Sequence, residues 1–207
     1  MTNSDYSSWG RFPQINQRGK GLSWRSDALP EPVAGTSSVL PYGNGRSYGD
    51  VCLNRGGSVL ATRGLNRFID FDPESGVLRC EAGVLLAEVL QLVVPAGWFL
   101  PVSPGTRYVT VGGAIANDVH GKNHHRAGTF GCHVRAFELL RSDGSRNVCS
   151  PSENTELFGA TVGGMGLTGL ITWAEIQLRP INGPMLKEES IKFANIEEFF
   201  KLSEASD

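Results

Sequence analysis

Apolar and polar residues alternate along several short stretches of this chain, and each stretch predicts a β-strand with one buried face. Turn-forming residues at Pro73–Gly76 and Ser142–Ser145 separate neighbouring stretches and favour hairpins. The predicted strands are Val39–Tyr42, Ser58–Ala61, Phe68–Phe71, Val77–Glu81, Val134–Leu140, Arg146–Val148 and Leu170–Leu178.

Three segments show helical signals instead. Between Leu85 and Val94, apolar residues recur every three or four positions, which predicts an amphipathic helix that ends at Pro95–Gly97. Gly113–Val119 is a candidate short helix, and either Ser152 or Asn154 can cap a helix that runs through Ala160.

The two ends of the chain differ from this pattern. The first thirty residues are polar and predict loops, which we expect Trp9, Phe12 and Trp24 to anchor. After Pro180 and Pro184, the sequence predicts a strand over Leu186–Phe193 and a helix capped by Asn195. We interpret this last pair as the start of a new unit.

Composition narrows the class of protein. A hydrophobic content of 40% and a charged content of 19% are typical of a folded globular chain. The net charge of −2 argues against a general nucleic-acid binder. Residues 1–69 are nevertheless basic, with eight Arg or Lys against four Asp or Glu. That excess suits a phosphate-bearing ligand, although a solvated surface would have the same composition.

Nothing in the sequence predicts secretion or a membrane span. The N-terminus lacks an apolar core, and the most hydrophobic run, Val84 to Pro101, is interrupted by Glu88, Gln91 and Pro95. The four cysteines form no C-x-x-C pair, so we expect free thiols. These features predict a cytoplasmic protein with no transmembrane segment, and peripheral association with a membrane stays open.

Glycine and histidine are concentrated in two segments. PYGNGRSYGD, from Pro41 to Asp50, follows a predicted strand, and its glycines allow several backbone N–H groups to converge on one anion. All four histidines lie in the second segment, which runs from Pro104 to Val134. Backbone that approaches a ligand closely, with titratable groups beside it, favours a bound dinucleotide.

Three other binding motifs fit less well. The G-x-G-x-x-G match Gly164–Gly169 follows a predicted helix and precedes a strand, the reverse of the dinucleotide fingerprint. It favours a tight turn, with flavin contact as a further option. Zinc is disfavoured because Gly121 and Asn123 separate His120 from His124 and no standard ligand spacing occurs. A P-loop is excluded because Ala116 stands where its first glycine is required.

Three segments together resemble a known family. They are Pro41 to Asp50, Pro101 to His125 (PVSPGTRYVTVGGAIANDVHGKNHH) and Ala160 to Ile171 (ATVGGMGLTGLI). They are similar to the FAD-binding (PCMH-type) domain of the vanillyl-alcohol-oxidase-type flavoproteins, and within it to the decaprenylphosphoryl-ribose 2′-oxidase group. The resemblance implies an α+β fold of two lobes, about 1–70 and 71–181, that hold FAD between them. Residues 182–207 would then begin a truncated substrate-binding domain.

The resemblance also assigns candidate site residues. Many relatives attach the flavin covalently through a histidine in the first loop, where this chain has Ser47, so non-covalent FAD is implied. His120 and Lys122 match the segment that reaches the flavin ring and the sugar, which gives them candidate catalytic roles. The implied FAD contacts are Gly43, Asn44, Gly45, Arg46, Ser47, Tyr48, Gly49, Asp50, Gly105, Thr110, Val111, Gly112, Gly113, Asn117, Asp118, Val119, His120 and Ile171.

The implied function is an FAD-dependent oxidoreductase that acts on a secondary alcohol of a sugar, which a lipid phosphate can carry as in cell-wall or polysaccharide synthesis. A partner reductase or epimerase subunit fits such a role. The fold leaves two alternatives, a reductase like UDP-N-acetylenolpyruvoylglucosamine reductase and a non-catalytic flavin-binding module. Because the substrate domain is largely missing, we expect this polypeptide alone to be inactive.

Overall fold

The computed structural model describes residues 2–3 and 6–205 and contains both helices and strands, as an α+β fold requires. Its strands are β1 Thr2–Asn3, β2 Gln17–Gly21, β3 Val39–Tyr42, β4 Ser58–Ala61, β5 Phe68–Asp72, β6 Val77–Glu81, β7 Trp98–Phe99, β8 Val134–Leu140, β9 Arg146–Cys149, β10 Leu170–Gln177 and β11 Arg179–Pro180. Its α-helices are α1 Leu86–Val93, α2 Val111–Ala116, α3 His124–Ala127, α4 Thr155–Thr161 and α5 Ile196–Ala205.

The first sheet has the order β1-β2-β4-β3. Strands β3 and β4 are parallel neighbours, with Tyr42 opposite Ala61, so the chain must cross from the end of β3 back to the start of β4. Residues 43–57 make this crossover and include the first glycine-rich loop. The loop therefore starts at the carboxyl end of a sheet strand.

The second sheet is larger and wholly antiparallel, with the order β5-β6-β10-β8-β9. Strand β10 lies at its centre, between β6 and β8, and its residues Thr172, Ala174 and Ile176 are all buried. Ala174 and Ile176 belong to the main hydrophobic core, which also includes Leu78, Cys80, Val84, Val89, Val93, Phe130, Phe137 and Leu139.

A smaller cluster joins the two sheets. Leu22, Leu60 and Leu65, from around the first sheet, pack against Leu140 and Leu170 at the ends of β8 and β10. All five side chains are buried, so this contact removes apolar surface from water and holds the sheets together.

Several predicted elements need correction. Residues 186–193 form no strand and are exposed, because no neighbouring strand within the described part of the chain supplies hydrogen bonds there. The predicted anchors Trp9, Phe12 and Trp24 are 56%, 77% and 56% exposed, so they do not anchor the N-terminal loops by burial. Helix α2 begins two residues before the predicted start and ends at Ala116.

The predicted caps of α4 and α5 have different outcomes. The Asn195 side chain accepts a hydrogen bond from the Glu198 N–H at 2.9 Å, as a cap of α5 should. Asn154 is the N-cap residue of α4, but its side chain donates to the Val148 carbonyl oxygen and does not cap the helix. All four cysteines are free. None of the described helices has the length and apolar character needed to cross a membrane.

Candidate functional site

A cavity of about 740 Å³ lies where the ends of the two sheets meet, a size within the usual range for bound cofactors. The first glycine loop forms one wall, and residues from Ser103 to Lys122 form the facing wall. The cavity brings together most of the predicted site residues: Gly43, Asn44, Gly45, Arg46, Ser47, Tyr48, Gly105, Thr110, Gly112, Gly113, Asn117, Val119, His120, Lys122 and Ile171.

Four predicted site residues do not line this cavity. Val111 is fully buried in the main core. The Asp118 carboxylate accepts a hydrogen bond from the Gly131 N–H at 2.8 Å, which ties it to the protein. Gly49 and Asp50 are exposed, and the chain returns to the cavity wall at Val51 and Cys52.

The first glycine loop leaves most of its backbone donors unused. Within the described residues, no protein oxygen accepts a hydrogen bond from the N–H of any residue between Gly43 and Tyr48, although the Ser47 N–H interacts with the Cys52 thiol. Gly45 has a φ of +60°, and a Cβ there would lie 2.2 Å from the Tyr42 hydroxyl and 2.3 Å from the Ser7 carbonyl oxygen. Only glycine therefore fits this backbone, whose N–H groups can serve an anion.

The start of α2 is arranged in the opposite way. The N–H groups of Val111 and Gly112 donate to the carbonyl oxygens of Val84 and Ala82, each at 2.8 Å. The Gly113 N–H donates to the Thr110 hydroxyl at 3.0 Å, which is an N-cap bond. These donors are already paired inside the protein, so α2 contributes surface to the cavity and no open N–H group at its first turn.

The loop that precedes α2 lies on the facing wall of the cavity. Asn44 Nδ2 donates to the Tyr108 carbonyl oxygen at 2.7 Å, which joins the first glycine loop to the facing wall. Among the described residues, the N–H groups of Gly105, Thr106 and Arg107 have no protein acceptor. These residues form a second stretch of open backbone donors, next to the hydrogen bond that joins Asn44 to Tyr108.

His120 and Lys122 line the cavity, and both residues are exposed. An isolated antiparallel bridge pairs His120 with Thr129. The ring of His124 meets that of His120 edge-on, with 5.2 Å between centroids. His124 Nδ1 donates to the Gly121 carbonyl oxygen at 3.0 Å, so in the neutral ring its Nε2 is the acceptor. His125 and His133 do not line the cavity.

The cavity wall also contains residues that were not among the predicted site residues. Trp9 and Cys52 lie outside the three segments that carry the resemblance, whereas Ser103 and Thr161 lie within two of those segments. Met165 and Gly166 also line it, and flavin contact by the Gly164–Gly169 segment stays a prediction. That segment follows α4 and leads into β10, as predicted.

Burial raises the pKa of the Cys52 thiol, and it also raises the pKa of Tyr42 beneath the glycine loop. Both groups therefore stay protonated and uncharged at neutral pH. A neutral thiol is a poor nucleophile, so Cys52 forms part of the cavity wall as an uncharged side chain. Across the described residues, no three His, Cys, Asp or Glu side chains are grouped to hold a metal ion.

Comparison with known proteins identifies related sequences. Residues 34–150 match the FAD binding domain family. The chain is 48% identical over 147 residues to decaprenylphosphoryl-beta-D-ribose oxidase of Mycolicibacterium smegmatis, which covers 70% of this chain and 32% of that protein. It is 36% identical over 112 residues to human Delta(24)-sterol reductase, which covers 54% of this chain and 22% of the relative.

A more distant relative is D-lactate dehydrogenase of Anaerostipes hadrus, 30% identical over 137 residues, or 62% of this chain and 28% of that enzyme. The matched part thus spans about a third or less of the length of these relatives. Their names describe an oxidase, a reductase and a dehydrogenase, so the shared domain is compatible with different substrates.

Proposed function

The chain belongs to the FAD binding domain family, and from that premise we propose that it is the cofactor-holding part of an oxidoreductase that oxidises a secondary alcohol of a sugar. The cofactor is FAD. The observation that carries the proposal is the cavity wall from Gly43 to Tyr48, whose backbone N–H groups donate to no protein oxygen among the described residues.

This wall fits the diphosphate of FAD. Open N–H groups bind phosphate oxygens strongly because no protein bond has to be broken first. Arg46 lies on the same wall and adds a positive charge, and Ser47 adds a hydroxyl donor. We place the diphosphate at this loop, with Gly105 and Thr106 as further contacts on the facing wall.

We propose that FAD is held without a covalent bond. Ser47 stands where the related proteins that bind covalently have histidine, and the serine hydroxyl lacks the nucleophilic nitrogen of an imidazole. Acid or heat denaturation of the full-length protein should therefore release intact FAD into the supernatant. Flavin that stays with the precipitated polypeptide would contradict this.

The proposed chemistry follows from two further residues of the cavity wall, His120 and Lys122. When bound, FAD supplies the two-electron acceptor that alcohol oxidation needs. His120 lies on the cavity wall, where a neutral imidazole can orient the substrate hydroxyl and take its proton. Lys122 stands two residues on and offers a positive charge to a substrate phosphate or to developing negative charge.

The similarity to decaprenylphosphoryl-beta-D-ribose oxidase supports a lipid-phosphate-linked sugar as the substrate. The full-length protein is needed to test this, since the chain spans 32% of that relative.

Steady-state assays of the full-length protein decide the question. We expect a sugar with a free secondary hydroxyl group to reduce the bound flavin, and we expect that NADPH does not reduce it. His120→Asn should lower kcat by about 10² to 10⁴, the usual worth of a general base. His125→Asn is the matched control, because His125 is exposed and outside the cavity. Reduction by NADPH alone, or equal activity of both variants, would reject the proposal.

A further inference from the structure

Arg63 links the segments that lead to the two walls of the cavity. It directly follows Thr62 and reaches across to the start of α1, where its guanidinium donates to the Gly83 carbonyl oxygen and to the Glu88 carboxylate. The Arg63 Nη2 to Glu88 Oε1 distance is 3.0 Å. Two donors on one carboxylate fix direction as well as distance.

The Arg63 end of this contact is linked to the first glycine loop. Both the N–H and the hydroxyl of Thr62 donate to the Tyr42 carbonyl oxygen, at 2.9 and 3.2 Å. Tyr42 immediately precedes Gly43. A shift of Arg63 therefore moves the point from which the loop leaves the sheet.

The Glu88 end is linked to the facing wall. Glu88 Oε2 accepts the Leu85 N–H at 2.7 Å, and Leu85 pairs with Thr110 in an isolated bridge. Thr110 caps α2 and touches the first loop, since a Cβ on Gly43 would lie 2.5 Å from its hydroxyl oxygen. Burial acts to raise the pKa of Glu88, but the bonds from Arg63 and Leu85 outweigh it and lower the pKa, so Glu88 is charged at neutral pH.

The glycine loop has little support from behind. A second cavity of about 350 Å³ lies on its other side, lined by Gly43, Asn44, Gly45, Arg46 and Arg63 among others. That empty space leaves part of the loop without packing behind it. The loop is held by the close approach of Gly45 to the Ser7 carbonyl oxygen, by the Trp9 N–H on the Ser47 carbonyl oxygen and by Asn44 on Tyr108. The route through Thr62 and Arg63 fixes the point where the loop leaves the sheet.

We infer that Arg63, through Glu88, is a positioning residue that sets the separation of the two cavity walls and so the affinity for FAD. This inference rests on the proposed binding of FAD between the first glycine loop and the facing wall. Arg63 itself need not touch the cofactor.

The test is a double-mutant cycle on full-length protein from which FAD has been removed, with affinity measured by flavin fluorescence. Arg63→Ala and Glu88→Gln should each weaken FAD binding, by about tenfold for a coupling of ordinary strength. The glutamine keeps an acceptor for the Leu85 N–H, so α1 retains its cap. The double variant should bind FAD no more weakly than the single variant with the lower affinity, because both changes break the same contact.

The matched control is the Arg79–Glu175 pair, which joins the same residue types at 2.6 Å on β6 and β10 away from the cavity. Arg79→Ala and Glu175→Gln should leave FAD affinity unchanged. Thermal unfolding of the FAD-free variants shows whether a loss of affinity merely follows a loss of stability. If a variant at 63 unfolds, Glu88→Gln carries the test.

Two outcomes separate this inference from the proposed function. Unchanged FAD affinity in Arg63→Ala and Glu88→Gln, or losses that add in the double variant, would overturn the inference and leave FAD binding in place. A wild-type protein that takes up no FAD would overturn both.

Discussion

The first glycine loop and the start of α2 look alike in sequence, since each is a glycine-rich segment that follows apolar residues and lines the cavity. Their backbones are used differently. Between Gly43 and Tyr48 no N–H group donates to a protein oxygen in the described part of the chain, whereas Val111, Gly112 and Gly113 all do so.

The difference shows that glycine serves two purposes here. In the loop, Gly45 permits a left-handed backbone that exposes donors to the cavity. At α2, Gly112 permits close packing, because a Cβ would lie 2.9 Å from the Ala82 Cβ and 3.2 Å from the Ala82 carbonyl oxygen. We therefore expect the loop to control cofactor affinity and the α2 glycines to control the packing of the fold.

The largest expected effect comes from Gly45→Ala. The added Cβ meets a backbone oxygen of Ser7, and the positive φ disfavours any side chain, so the free energy of unfolding should fall by about 3 kcal/mol and FAD binding should be lost. Chemical denaturation and flavin fluorescence measure the two effects.

Gly49→Ala is the control for the backbone conformation alone. Gly49 has a φ of +58° but nothing within 4 Å of a built Cβ, so only the conformational cost of about 1 kcal/mol remains. If the two variants behaved alike, the close contact at Gly45 would not matter and the loop would be less constrained than we argue.

Gly112→Ala should give a smaller loss. The Cβ contact with Ala82 forces a small shift in a packed region, which costs about 1–2 kcal/mol of unfolding free energy. FAD affinity should change less than in Gly45→Ala because the Gly112 N–H is already paired with Ala82. A variant that unfolds normally but no longer binds FAD would mean that α2 is itself a cofactor site.

The strands show what local sequence patterns could and could not predict. Strands β6 and β8 were predictable because apolar and polar residues partly alternate along them, and β3 and β4 because they are short, mostly apolar runs. Strand β2 was not, since Gln17–Gly21 reads QRGKG and only Gln17 is buried. It forms because β4 provides a parallel partner, a long-range cause that no local pattern contains.

The residues of the candidate site were predictable from motifs only in part. The resemblance located both glycine segments and assigned glycines of both as FAD contacts. It could not show which of their N–H groups are open, because that depends on which carbonyl oxygen lies opposite each one in the fold. Val84 and Ala82 supply those oxygens at α2 from nearly thirty residues upstream. Val111 and Asp118 lie in the middle of the motif, yet the fold turns Val111 into the core and ties Asp118 to Gly131.

The smallest effect on stability, and the sharpest on binding, should come from Gly105→Ala. Gly105 lines the cavity with an open N–H group, has no positive φ, and has nothing within 4 Å of a built Cβ. The unfolding free energy should change by less than about 0.5 kcal/mol, as at an unconstrained surface site. If FAD lies against this wall, the methyl group occupies its space, and affinity should fall about tenfold, or about 1.4 kcal/mol. Because the folded protein has room for the methyl group, a loss of affinity at constant stability can only come from the cofactor, whereas unchanged affinity would place FAD away from the facing wall.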